Sequence, residues 1–207
     1  MGSDVITIDE TNISIRNSVV YTSEDMNLPN KIDGLLGMGY SSTPNFLDNA
    51  ANENQIESPI FSLQIRPITE ESILFYNEIP SYIWDNTNFV ENTGESTWQV
   101  ELHNFKVQND DFSYISPGHL IVDSTIDLIY FNNKLYTQLM NKYFKQCLNN
   151  YCPCEGTYPD LTFVLDGISV TVKSTNYMNI RKEGCFLLLG KTTYESSPLL
   201  IGTPLLK

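Results

Sequence analysis

The chain has 207 residues, and its 12 Lys+Arg against 25 Asp+Glu give a net charge of −13 with an isoelectric point near 4.4. This excess of negative charge excludes nucleic-acid binding through a basic face, because phosphate groups would be repelled. The hydrophobic content of 41% is typical of a globular protein, and no apolar run reaches the ~18 residues of a membrane span. The chain also begins without the basic-then-apolar pattern of a signal peptide.

The first half of the chain predicts mainly strands. Val5–Ile8 and Ile13–Ile15 flank a polar turn, which predicts a β-hairpin. A short helix is predicted over 45–54, with Asn45 as its N-cap. Residues 98–107 alternate between apolar and polar side chains with one slip of register, which indicates either a bulge or a tight turn at that point.

The second half repeats this mixture of strands and one clearer helix. Between Asn132 and Lys145, apolar side chains recur every four residues, which predicts an amphipathic helix packed on a core. Thr162–Leu165 and Ile168–Val172 are joined by Asp-Gly, the dipeptide most typical of a tight hairpin. The fold class is therefore mostly β with a few short helices.

Four cysteines offer two alternatives. Cys147, Cys152 and Cys154 are clustered, while Cys185 lies far downstream. A zinc site needs paired ligands at short spacing on both sides, and neither histidine lies near the cluster. Two disulfides are the favoured interpretation, and they imply an oxidising compartment. The residues alone leave the connectivity open.

Several segments, in chain order, carry a family resemblance. Asp33–Tyr40 reads D-G-L-L-G-M-G-Y, Leu120–Leu128 reads L-I-V-D-S-T-I-D-L, and Leu199–Leu206 reads L-L-I-G-T-P-L-L. They resemble the D-G-I-L-G-L-G/A-Y, A-I-V-D-T/S-G-T-S-L and W-I-L-G-D-x-F-L segments of pepsin-like aspartic peptidases. Pro59–Leu63 resembles the P-V/L-F-S-V strand of that family, and Tyr158–Phe163 resembles its L-P-D-I-x-F segment.

The resemblance implies a truncated pepsin-like acid protease fold. Residues 1–66 would be a remnant of the N-terminal lobe, and 67–207 a C-terminal lobe that lacks the last strand. That lobe would contain one ψ-loop, in which the Asp123 turn is threaded beside Leu200-Ile201-Gly202. The resemblance also implies a Cys154–Cys185 disulfide, predicted together with Cys147–Cys152, and a secretory or lysosome/vacuole-like compartment.

The reaction of the family is peptide-bond hydrolysis by a water held between two carboxylates that share one proton. Carried over residue by residue, Asp123 is the catalytic candidate and Ser124 a supporting hydroxyl. No cofactor and no metal are expected, and the partner is a peptide or protein. Thr125 stands at the position of the motif glycine, where a β-branched side chain would strain or remodel the turn. Ile126 replaces the residue whose hydroxyl hydrogen-bonds the carboxylate, so we expect that donor to be lost.

These departures and the lone Asp turn lead to the expectation that this chain is inactive by itself. The front of the family fold would be missing, so a missing N-terminal half or a partner chain would have to supply the second carboxylate. The alternative is a non-catalytic pseudoprotease that binds peptide or protein through a retained cleft.

Overall fold

The computed structural model describes residues 2–8, 11–18, 37–40, 44–66, 71–77, 79, 81, 88–112, 118–182, 184–193 and 197–206. The chain divides into two compact units. The first contains Met1–Leu63 and Leu74–Asn86, and the second contains Gln64–Ile73 and Thr87–Lys207. The assignment of 1–66 and 67–207 to two lobes of a pepsin-like protein stays a prediction.

The first unit begins with a hairpin of β1 (Gly2–Ile8) and β2 (Thr11–Ser18), which pair antiparallel. This confirms the hairpin predicted around the turn at 9–12, although both strands are longer than predicted. The closing pair is Ile8 with Thr11, so the connection is shorter than the sequence suggested.

The predicted short helix is also confirmed as α1 (Phe46–Asn52). The Asn45 side chain accepts hydrogen bonds from the backbone N–H groups of Leu47 and Asp48, and the Asn45 N–H donates to the Asp48 carboxylate. This reciprocal capping box satisfies donors that a helix start otherwise leaves unpaired. A small core forms around this helix from Phe46, Leu47, Ala50 and Ile56. Strands β3 (Phe61–Gln64) and β4 (Ile73–Tyr76) form a two-stranded sheet.

The second unit is built on one large mixed sheet with a smaller sheet and three helices. Its elements are β5 (Gln99–Val107), β6 (Asp110–Asp111), β7 (His119–Val122), β8 (Ile129–Phe131), α2 (Asn133–Tyr143), β9 (Tyr151–Cys152), β10 (Leu161–Leu165), β11 (Ile168–Val172), α3 (Ser174–Tyr177), β12 (Met178–Arg181), β13 (Gly184–Leu187), β14 (Leu189–Lys191), β15 (Leu199–Ile201) and α4 (Thr203–Leu206). The strand order in the large sheet is β11-β10-β5-β7-β15-β8-β14, and β6 pairs with β5.

Local sequence rules account for the hairpin and the bulge of this sheet. Asp166 and Gly167 both have positive φ, 45° and 79°, which is the backbone that a tight two-residue turn between β10 and β11 requires. Of the two alternatives for the register slip in β5, a bulge or a tight turn, the structure has the bulge. Leu165 pairs with Leu102 while Val164 pairs with Asn104, so His103 is the extra residue on β5.

The core of the second unit is aromatic at its centre. Phe105 is fully buried, and its ring lies 4.9 Å from that of Phe163 and 5.3 Å from that of Phe131. Helix α2 contributes Leu135 and Leu139, both fully buried, and its N-cap is the buried Asn132. The predicted apolar stripe therefore does pack on a core, and the helix ends two residues earlier than predicted.

A three-stranded sheet, β12-β13-β9, carries the cysteines. The structure forms the disulfides Cys147–Cys152 and Cys154–Cys185, which are the two pairs predicted with the family resemblance. All four thiols are thereby oxidised, so the zinc alternative lacks the thiolates that it needs. Among the helices in the described ranges, none combines the length and the apolar character of a membrane span.

Candidate active site

The candidate site lies where β15 is inserted between two strands that the chain connects directly. Strand β7 ends at Val122, the chain turns at Asp123, and it returns as β8. Strand β15 fills the space between them, parallel to β7 through Leu199–Leu120 and antiparallel to β8 through Ile201–Ile129. This arrangement is the ψ-loop predicted from the resemblance, with Asp123 at its turn.

Gly202 explains why the turn can approach β15 so closely. A Cβ atom added at this position would lie 2.6 Å from the Ile126 carbonyl carbon, and closer still to the carbonyl oxygen. These are backbone atoms of the turn, which cannot rotate away as a flexible side chain could. A residue with any side chain would therefore force the two segments apart.

Backbone hydrogen bonds fix the turn against β15 and the residues after it. The Asp123 N–H donates to the Ile201 carbonyl at 2.9 Å, and the Gly202 N–H donates to the Leu128 carbonyl at 3.0 Å. The Thr203 N–H donates to the Ile126 carbonyl at 2.9 Å. Three bonds over such a short stretch satisfy groups that a half-buried loop would otherwise leave unpaired. The Asp123 backbone is thus positioned by a strand that lies far away in sequence.

The Asp123 carboxylate is half-buried and is held by Thr125. The Thr125 N–H donates to Asp123 Oδ1 at 2.9 Å, and the Thr125 Oγ1 hydroxyl donates to the same oxygen at 2.6 Å. Our expectation that the hydroxyl donor is lost with Ile126 is therefore wrong, because Thr125 supplies it from the neighbouring position. Sequence reasoning missed this role, although an Asp whose carboxylate accepts from the residue two positions on is a familiar turn pattern.

Thr125 also occupies its position without left-handed backbone. Six non-glycine residues in the described ranges have positive φ, and Thr125 is not one of them. The turn therefore accommodates a β-branched residue. Of the two outcomes expected for Thr125, a strained turn or a remodelled one, the structure has the remodelled turn.

The other predicted site residue, Ser124, follows Asp123 in the chain but does not join this hydrogen-bond network. Its side chain is exposed. Within the described ranges, the Asp123 carboxylate accepts hydrogen bonds only from Thr125, and no side-chain hydrogen bond of Ser124 is found there. The roles of Asp123 and Ser124 stay predictions. Residues 33–36 of the D-G-L-L-G strand lie outside the described part of the chain.

The described residues offer no obvious place for a metal ion. Within these ranges, no three His, Cys, Asp or Glu side chains lie close enough together to share an ion. At the turn itself, the Asp123 carboxylate accepts two hydrogen bonds on one of its oxygens.

A ψ-loop with an aspartate at its turn is the arrangement that the resemblance to pepsin-like aspartic peptidases predicted, and comparison with known proteins gives the same family. The family model described as "Eukaryotic aspartyl protease" matches residues 1–207, so the chain belongs to this family. It is 28% identical to cathepsin E of Rattus norvegicus over 163 residues, which are 72% of this chain and 40% of that protein. It is 26% identical to embryonic pepsinogen of Gallus gallus over 168 residues, 74% of this chain and 43% of the relative. The chain thus spans about two fifths of the length of these curated relatives.

Proposed function

We propose that this chain is a pepsin-like aspartic endopeptidase homologue that places one catalytic-type carboxylate, Asp123, and does not hydrolyse peptide bonds by itself. The observation that carries the proposal is the ψ-loop, in which β15 lies between β7 and β8 and holds the Asp123 turn. Family membership gives the class of reaction, and the geometry at the turn indicates which part of it this chain can perform.

The part it can perform is to hold one side of an attacking water. Thr125 occupies Oδ1 with two hydrogen bonds, so the orientation of the carboxylate is fixed. Oδ2 has no hydrogen bond to any described residue, and it is the oxygen available to a water molecule. Ser124, the next residue in the chain, is exposed and is the supporting hydroxyl in this proposal.

The reaction needs a second carboxylate, because two like charges ~3 Å apart split their proton affinities and become one acid and one base. Within the described ranges, no carboxylate is hydrogen-bonded to Asp123. We propose that the second carboxylate of a complete site comes from outside the described residues, either from another part of the protein or from a partner chain. The substrate of such a site would be an extended peptide or an unfolded protein.

The proposal is tested with the oxidised, full 207-residue chain and an acid-denatured protein substrate between roughly pH 3 and 6, around the ordinary pKa range of carboxylic acids. We expect no cleavage above that of Asp123→Asn, and an active pepsin in the same assay serves as the positive control. Cleavage that is blocked by a statine-type transition-state analogue and lost in Asp123→Asn would show that the proposal is wrong.

The alternative, a pseudoprotease, is separated from this proposal by a binding measurement. A labelled peptide that binds the intact chain with a measurable affinity, without turnover, would favour a pseudoprotease that retains a peptide-binding cleft. In either case the two disulfides indicate folding in an oxidising compartment, and we propose a secretory or lysosome/vacuole-like location.

A further inference from the structure

Strand β12 is an unpaired edge of the three-stranded sheet. It pairs with β13 on one side, and no described strand lies along its other side. The Leu188 N–H donates to the Tyr177 carbonyl just before β12 begins. In an antiparallel pair the backbone groups alternate in direction, so those of Asn179 and Arg181 face β13 and those of Ile180 face outward. The N–H and C=O of Ile180 are therefore available to a further strand.

The side chains along this edge are unusually exposed for their type. Ile180 has 81% of its surface exposed, which is the largest value among the big apolar side chains of the described residues. Long, exposed apolar edges invite pairing with another chain, and proteins usually protect them with short strands, charged side chains, bulges, prolines or covering segments. Strand β12 is short and ends at a charged residue, but in the described ranges no segment covers its outer side, and Ile180 stays exposed there.

The charge of this edge indicates which kind of partner could bind there. Residues 174–183 contain two cations, Arg181 and Lys182, and one carboxylate, Glu183, so this edge is locally cationic in a chain whose net charge is −13. Both side chains are exposed, and neither forms an ion pair with any residue that the structure describes. They are available to carboxylates from outside.

Arg181 is also held ready for such a contact. Its guanidinium lies over the ring of Phe186 at 3.9 Å from the ring centroid, and Tyr151 packs edge-on against Phe186 at 5.2 Å. Stacking on an aromatic face leaves the N–H groups at the rim of the guanidinium free, and these bind a carboxylate in a forked arrangement. Less side-chain entropy is lost when a partner binds, because the ring already orients the group.

We propose that β12 is a docking edge for an extended acidic strand from another protein, which adds to the sheet beside Ile180. Side chains of directly opposed residues share a face, so the residue opposite Ile180 is apolar and the residue opposite Arg181 is Asp or Glu. The partner segment therefore alternates apolar and acidic residues. This docking does not depend on peptide hydrolysis at Asp123.

The net charge of the chain and the possible pairing of two β12 strands both bear on which partner this edge binds. The net charge of −13 repels an acidic peptide at long range, but at ~0.15 M salt the screening length is about 8 Å, so the contacts at β12 dominate once the strand has docked. A second copy of this chain is a poorer occupant of the same edge. In an antiparallel pair of β12 strands centred on Ile180, each Arg181 would lie opposite Asn179 of the other copy and would gain no carboxylate.

The probe is a fluorescein-labelled peptide of three Val-Glu repeats, measured by fluorescence anisotropy with the full, oxidised chain at ~0.15 M salt. We expect it to bind, and we expect the matching Val-Lys peptide not to bind. Arg181→Glu should weaken binding roughly fivefold or more, as expected for one ion pair replaced by a repulsion. The control is Lys134→Glu, the same charge change at an exposed position of α2, which should leave the affinity unchanged.

Changes in the peptide test the strand pairing without altering the fold of the protein. The proposed pairing is antiparallel. With valine opposite Ile180 in such a pair, the valine amides face the edge, so N-methylation of these amides should abolish binding while N-methylation of the glutamate amides should not. The proposal is overturned if the Val-Glu peptide does not bind, if the two methylated peptides bind equally, or if the Val-Lys peptide binds as well. It is also overturned if light scattering shows self-association of the chain that Arg181→Glu removes.

Discussion

The tightest contact of the ψ-loop predicts that Gly202→Ala destabilises the second unit severely. The added Cβ would lie 2.6 Å from the Ile126 carbonyl carbon, well inside the contact distance of two carbon atoms. Overpacking against a core costs ~1–3 kcal/mol, and this clash is with backbone, so the upper end applies. Moving the turn away also endangers the hydrogen bonds from the Gly202 and Thr203 N–H groups, each with a net contribution of about 1 kcal/mol.

We therefore expect a loss of about 3 kcal/mol in the free energy of unfolding, or more if both bonds break. For a protein of this size, that corresponds to a fall of roughly 6–12 °C in the melting temperature. The assay is urea denaturation followed by tryptophan fluorescence in a Trp84→Phe background. Trp98 is then the sole tryptophan, and it belongs to the second unit.

Gly118→Ala is the matched control. A Cβ built at Gly118 has no other atom within 4 Å, so this variant should stay within ~0.5 kcal/mol of the parent. The reasoning is refuted if the two alanine variants unfold at the same urea concentration with unchanged slopes. That result would mean that the turn and β15 can separate at little energetic cost.

Three further predictions follow from local contacts. Asn45→Ala removes the acceptor of the capping box and should destabilise the first unit by about 1 kcal/mol in thermal unfolding, and an unchanged midpoint would contradict the role of the cap. Replacing Cys154 and Cys185 together by serine should lower the free energy of unfolding by about 3.5 kcal/mol, and replacing Cys147 and Cys152 should lower it by about 2 kcal/mol, because the Cys154–Cys185 disulfide closes the longer loop. Equal losses in urea denaturation would refute this argument from loop length. The hydrogen bond from Lys173 lowers the pKa of Asp160, so this pair contributes stability above pH ~4 that is lost as the pH falls through the lowered pKa. Lys173→Met should raise that pKa in a carboxyl NMR titration, and an identical titration curve would show that Lys173 is not its cause.

Local rules predicted the elements that depend on neighbouring residues. The Asp-Gly turn between β10 and β11, the Asn45 cap and the apolar stripe of α2 each follow from backbone geometry or helical spacing within a few residues. The two four-residue helices, α3 and α4, are too short to show a periodicity and were not predicted.

The ψ-loop could not be predicted from such rules. Nothing in the composition of Leu199–Ile201 places it between β7 and β8 rather than at a sheet edge, and only the resemblance to a family supplied that position. The role of Thr125 was missed for another reason. Reasoning by correspondence assigns a function to a position, whereas the structure supplies the donor from the neighbouring residue.

The insertion of β15 also determines the order in which the second unit can fold. Leu199 pairs with Leu120, about 80 positions earlier in the chain, so β7 and β8 cannot complete their hydrogen bonds until β15 arrives. Contacts between residues so far apart in sequence slow folding, because a long loop must close before the pairing stabilises it. During synthesis, β7, the Asp123 turn and β8 leave the ribosome well before β15 does. The candidate catalytic carboxylate is thus among the last groups of this unit to reach its final position.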